Sequence, residues 1–415
     1  MTGTNGGSAF VLIYLLCILC IGVPLLMAET MLGRRGQGNP IAAMTTLARE
    51  AGAGSYWKVI GIIGVSGALM ILSFYSVVAG WILEYNLRAL SGFHGLTKEA
   101  AGLGFDSLLA DPVRMIGWHT VFMVMTIVVV AGGVTSGIER ANKVMMPALF
   151  AIVLLIIAYG VVAADMPAAV RFMFHFDPSQ VTREVVFSAM GHSFFTLSLG
   201  MGAIMTYGSY LERDTSIGRT CIYIAMADTA IALLAGLAIF AIVFAQGLEP
   251  AAGPGLILQT LPLAFSQMPA GQVIGPLFFL LVVFAAWTSS ISLLEPAVAL
   301  MTEKLAVPRK VAAWAIGVPV WLLGIAVCLS FNHWAEVKVF GLGIFDLLDT
   351  LTTKFMMPLS GLLIAVFVGW VMHKNHVKDE IALGGGSYHL WLNVLRFVSP
   401  IAITVIFLHV TGVIK

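Results

Sequence analysis

An apolar stretch at 185–211 is long enough to cross a bilayer, yet its centre reads Ser193-Phe-Phe-Thr-Leu-Ser-Leu-Gly-Met-Gly202. Two glycines there weaken a helix, and in lipid every backbone group released by a break must find a protein partner. Broken backbone at membrane depth is tolerated only where it is buried in protein or lines a cavity. The stretch therefore predicts two half-helices meeting near Gly200–Gly202, and a binding site at mid-membrane.

The rest of the chain fits a polytopic, all-α membrane protein. It is 59% hydrophobic and 10% charged, which excludes an ordinary soluble domain. A net charge of +1 gives nucleic acid nothing to bind. With about 20 apolar residues needed per crossing, ten spans are predicted: 9–32, 58–86, 115–135, 144–164, 185–211, 217–246, 272–303, 308–330, 345–372 and 388–412. The chain 1–415 reads as one transmembrane domain without a cleavable signal peptide. Cys17, Cys20, Cys221 and Cys328 all lie in apolar runs, so the CxxC spacing of the first two reads as core packing rather than a redox or zinc site.

Loop charge sets the orientation. Thirteen Lys and Arg, among them Arg34, Arg35, Arg140, Lys143, Arg309 and Lys310, fall on one side. Six, such as Arg88, Arg114 and Lys338, fall on the other. The richer side is cytoplasmic, which leaves residues 1–8 outside. Outer loops are expected at 87–114 and 165–184. Residues 247–272 carry no Lys or Arg, and Leu258–Phe265 is apolar. That segment reads as a short helical lid over the outer vestibule, or as a helix lying on the membrane surface.

Polar groups inside the spans are costly and default to function. Glu29 lies near the inner end of the first span, where it is either an interfacial carboxylate beside Arg34 or a functional one. Asp228 sits about twelve residues into its span and reads as part of a cation site. Thr288-Ser289-Ser290 offers hydroxyls over a wide helical arc, able to replace a sodium ion's water or simply to bond back to their own helix. The Tyr75 phenol needs a partner, whether a substrate carboxylate or another helix. His192 precedes the break by about one turn and reads as a hydrogen-bonding spacer or a proton relay. Asp346 and Asp349 sit at the outer end of their span. Glu295 and Lys354 have no evident partner in the sequence.

These residues together resemble the neurotransmitter:sodium symporters nearly end to end. Gly6-Gly-Ser-Ala-Phe10 and Gly22-Val-Pro-Leu25 through Glu29 and Gly33-Arg34 are similar to the family's second helix. Gly137-Ile-Glu-Arg140, Lys143 and Met146-Pro147 resemble the start of its fifth. Phe194-Phe-Thr-Leu-Ser-Leu-Gly200 resembles the unwound sixth, and Thr288-Ser-Ser290 the eighth.

The resemblance implies an inverted-repeat, leucine-transporter-like bundle that takes up an amino acid with sodium across the plasma membrane by alternating access. It implies no enzymatic chemistry. Tyr75 matches the tyrosine that binds the substrate carboxylate, with Ile71, Met201 and Leu293 lining the side-chain pocket and Phe195 as the gate above it. Ser198 matches the unwound backbone that holds the substrate amino group. Thr196 matches a ligand of one sodium site, with Asp228 beside it. Ala285, Thr288 and Ser289 match ligands of the other, Ala285 through its carbonyl. Asp346 matches the outer-gate acid, and Glu29 and His192 are expected in gating or charge balance.

Asp228 departs from the common pattern, which has Asn there and Ser or Glu four residues on, where this chain has Ala232. A carboxylate in place of an anion implies transport without chloride, and a route for proton counter-movement on the empty return step. The apolar wall of Ile71, Phe195, Met201 and Leu293 favours a hydrophobic or aromatic amino acid. Residues Met1–Asn5 read like the linker after the family's first helix, so this chain is expected to hold family helices 2 to 11. A truncated, non-transporting fragment or partner subunit is the alternative reading.

Overall fold

The computed structural model describes residues 2–249 and 253–410. Met1, residues 250–252 of the predicted lid segment, and residues 411–412 of the last predicted span lie outside the described residues. Among those described, nine helices are long and apolar enough to cross a membrane. We number them with the two halves of the broken segment in chain order. They are α1 (Ser8–Gly36), α2 (Ser55–Leu90), α3 (Pro112–Ala131), α4 (Val134–Ala163), the half-helices α5 (Arg183–Thr196) and α6 (Ala203–Gly208), α7 (Ile217–Ala245), α8 (Gly271–Leu305), α9 (Arg309–Leu329), α10 (Ile344–Val371) and α11 (Gly385–His409). The broken segment supplies the tenth crossing, so the predicted all-α bundle of ten spans is the one observed.

Most predicted boundaries fall within a few residues of these. The fourth does not: α4 starts at Val134, ten residues before the expected 144. Hydropathy marks where lipid begins, not where a helix begins. Glu139, Arg140 and Lys143 are therefore a helical turn outside the apolar core, tied by a Lys143–Glu139 pair at 2.7 Å, and Pro147 is accommodated within the helix.

The outer loops are likewise more ordered than their composition suggests. Residues 87–114 contain a helix, Lys98–Ala110, whose first turn is capped by the Thr97 hydroxyl accepting from the Ala100 amide at 3.2 Å. Residues 165–184 contain Met166–Phe174, capped in the same way by Asp165. The expected lid is helical at Leu256–Thr260 and Leu261–Gln267. It buries Leu258, Leu261, Pro262, Ala264 and Phe265 rather than presenting them to water.

The centre of the bundle is the pairing of α2 with α8, flanked by α3 and α9. Against this pair lies a second group in which α6 packs on α1. That contact is backbone to backbone: a Cβ on Gly33 would sit 1.9 Å from the Met205 carbonyl. Small residues let membrane helices approach this closely, because no hydrophobic force holds helices together in lipid and packing must do so.

Candidate substrate and ion site

The break lies between α5 and α6. Ser198, Gly200 and Gly202 adopt φ of 54°, 75° and 71°. Left-handed geometry costs a non-glycine residue about 1–2 kcal/mol, and Ser198 bears that cost. The helix closes on itself through Ser198 N–H to Phe195 O and Leu199 N–H to Phe194 O, both 3.1 Å. The Gly200 amide leaves the helix altogether and donates to Glu29 Oε2 at 2.9 Å. The Gly202 and Met205 amides lie around the same carboxylate, at the positive end of α6.

Glu29 is fully buried and does not pair with Arg34, which removes the interfacial alternative. Arg34 instead donates through Nε to Glu380 Oε1 at 2.6 Å. The reason is backbone accounting: the break frees amides where no water reaches, and a carboxylate from the adjoining helix is the acceptor at hand.

On the outer side of the break, Thr196 Oγ1 donates to Asp228 Oδ2 at 3.1 Å, joining α5 to α7. The Tyr14 phenol from α1 lies beside Thr196, Asp228 and Thr229. Its ring is 5.6 Å from His192, which also meets Phe10 at 5.9 Å. His192 is thus half-buried among rings and next to the Thr196–Asp228 pair, not in contact with it. The sequence singled out His192 but missed Tyr14, because a tyrosine in an apolar helix carries no signal of which helix it faces.

The α8 hydroxyls converge on one carbonyl. Thr288 Oγ1 donates to Ala285 O at 2.9 Å and to Phe284 O at 3.1 Å, and Ser289 Oγ to Ala285 O at 3.1 Å, so both hydroxyls bond back to their own helix, the second of the two readings the sequence left open. Ser290, by contrast, is buried and bonds to Thr126 on α3 at 2.8 Å, which makes it a helix-to-helix link. The Tyr75 hydroxyl from α2 faces Ser289. Ile71, Met201 and Leu293 are buried in one continuous core, with Tyr75, Phe195 and Ala285 half-buried against it. Asp346 is exposed in the first turn of α10, and the adjoining Phe345 packs edge-on against Phe74 of α2 at 5.6 Å. Among the described residues no group of three His, Cys, Asp or Glu is placed to hold a metal. Any cation chemistry here uses hydroxyl, carbonyl and single-carboxylate oxygens, a hard-ion donor set.

Glu295, left without a partner by the sequence, is fully buried on α8 and fully engaged. Arg309 at the start of α9 pairs with its Oε2, and the Tyr210 hydroxyl donates to Oε1 at 2.7 Å. Arg309 also donates to Val130 O at 2.9 Å. Three elements meet at this carboxylate on the cytoplasmic side. Tyr210→Phe removes one charge-assisted bond and is expected to cost about 1.5–3 kcal/mol. Thermal unfolding of the purified variant reads this, and an unchanged midpoint would show that the bond carries no weight. Lys354, the other unassigned charge, is exposed within the π-helical part of α10, near Asp349.

The sequence matches the profile of the Sodium:neurotransmitter symporter family over residues 1–96 and 109–415. The chain belongs to this family. The symporter is 37% identical to the sodium-dependent transporter YhdH of Bacillus subtilis, over 100% of this chain and 92% of that protein. A sodium-dependent transporter of Haemophilus influenzae is 34% identical, over 98% of this chain and 91% of its own length. Among solved structures, that of MhsT in complex with L-phenylalanine superposes with a TM-score of 0.90 at 40% identity, covering 99% of this chain and 93% of MhsT. The symporter is therefore a multi-pass membrane transporter and not an enzyme, and sodium is its co-transported ion.

Proposed function

We propose that this symporter moves a hydrophobic or aromatic amino acid into the cell together with sodium, across the plasma membrane and without need of chloride. The observation that carries the reading is the Thr196–Asp228 contact beside a left-handed, unwound backbone. It sets a carboxylate beside backbone that has left the helix, with the apolar side chains of Ile71, Met201 and Leu293 in the same buried core. In this reading Thr196 and Asp228 hold one sodium, and Ala285 O, Thr288 and Ser289 hold another. The Tyr75 phenol and the backbone at Ser198 receive the carboxylate and ammonium of the substrate. Ile71, Met201 and Leu293 surround its side chain, Phe195 closes over it, and Asp346 acts at the outer mouth. The L-phenylalanine bound to MhsT supports the substrate class.

Energy enters with the ions: each sodium moving inward gains about 2.3 kcal/mol per 100 mV. Asp228 replaces the charge that a bound anion would otherwise supply. In proteoliposomes with an inward sodium gradient, radiolabelled L-phenylalanine is expected to accumulate. Choline in place of sodium abolishes accumulation, and gluconate in place of chloride leaves it unchanged. Uptake that collapses on chloride removal would overturn the role given to Asp228, and no sodium-driven uptake of any hydrophobic amino acid would overturn the reading as a whole. Purified protein should also gain about 2.7 kcal/mol from L-phenylalanine at 100 times its Kd, and only when sodium is present.

A further inference from the structure

The exposed side of α9 carries a shallow, open depression of about 640 Å³, lined by Lys310, Val311, Trp314, Ala315, Val318 and Pro319. Val311, Trp314, Val318 and Leu322 are all exposed and share one helical face. The small Ala315 side chain leaves the depression between the larger Trp314 and Val318. Lys310 lies at the end of the depression that the loop charges place in the cytoplasm. Among the described residues Lys310 forms no ion pair, whereas its neighbour Arg309 is committed to Glu295. Trp314 lies one turn deeper, where an indole fits the headgroup boundary.

We propose that this depression binds one anionic phospholipid of the inner leaflet. Its phosphate rests on the Lys310 ammonium, and an acyl chain lies along Trp314, Ala315 and Val318 toward Leu322. The argument is one of charge and shape together. An apolar depression alone suits any acyl chain, but a free ammonium at its end selects a negative headgroup over a zwitterionic one.

Native mass spectrometry of the full chain in detergent, titrated with equal phosphatidylglycerol and phosphatidylcholine, tests this. The wild type is expected to retain phosphatidylglycerol preferentially. Lys310→Gln should reduce that preference roughly five-fold, the effect of one lysine at an anionic surface. Lys304→Gln, an exposed lysine outside the depression, should leave it intact. Val318→Trp fills the depression and should weaken retention of both lipids. Equal retention of the two lipids by the wild type, or full preference in Lys310→Gln, would overturn the proposal. So would efficient dimer cross-linking through Val318→Cys in phosphatidylcholine nanodiscs, since a second copy of the chain would then occupy this face.

Discussion

Gly200→Ala is expected to destabilise the symporter by about 3–4 kcal/mol and to abolish sodium-dependent uptake. Two costs add. At φ 75° any Cβ brings the left-handed penalty of about 1–2 kcal/mol. The added methyl would also lie 2.6 Å from the Met357 carbonyl and 3.2 Å from Ser360 Cβ. The first of these is backbone in α10, so α10 or the break must shift, at about 2 kcal/mol. A shift there would pull the Gly200 amide off Glu29 and re-aim Ser198 and Met201, which flank it. Gly95→Ala is the matched control. Its φ is 64°, but nothing lies within 4 Å of the added methyl, so only the left-handed penalty of about 1–2 kcal/mol remains. Thermal unfolding of the two variants side by side separates the effects. Equal midpoints would mean that the break does not press against α10.

Asp228→Asn should raise the sodium concentration for half-maximal uptake by on the order of 100-fold. The amide keeps an oxygen in place for the ion and for Thr196, so packing changes little. What it loses is the charge. A unit pair at about 3 Å and an effective dielectric near 20 gains roughly 5 kcal/mol. Partial desolvation of the carboxylate offsets some of this, leaving on the order of 3 kcal/mol, or ~100-fold. Thr196→Val removes a neutral donor and should cost about ten-fold or less. Sodium titrations of uptake, or of thermal stability for variants too slow to assay, give both numbers. An unchanged sodium dependence in Asp228→Asn would take Asp228 out of the ion site.

Long apolar segments were the most legible part of the fold. Lipid imposes one requirement, continuous apolar side chains over about 20 residues, and nine helices meet it among the described residues. The break was equally legible, because a Gly-rich interruption in such a segment has few tolerable explanations. The resemblance put Thr196 and Asp228 side by side, and the structure has them in contact at 3.1 Å. Helices outside the lipid, such as Lys98–Ala110, were not legible, since water tolerates loop and helix alike and the deciding contacts come from elsewhere in the chain. For Glu29 the sequence left an interfacial and a functional carboxylate both open, and nothing local revealed that α6 would pack on the same helix and supply its donors. Glu295 shows the same gap: its partners Tyr210 and Arg309 belong to other elements, and no spacing rule connects them.

About ten membrane crossings, the place where one of them is interrupted, and the family resemblance all follow from the order of residues alone. Each of these follows from solvent acting on a segment, or from an ordered string of residues. Packing settled which acceptor receives the amide freed at Gly200, which phenol stands beside Asp228, and which cation neutralises Glu295. Those are pairings between distant segments, and a buried polar group is fixed by whatever partner the packing brings within about 3 Å, not by its neighbours in the chain.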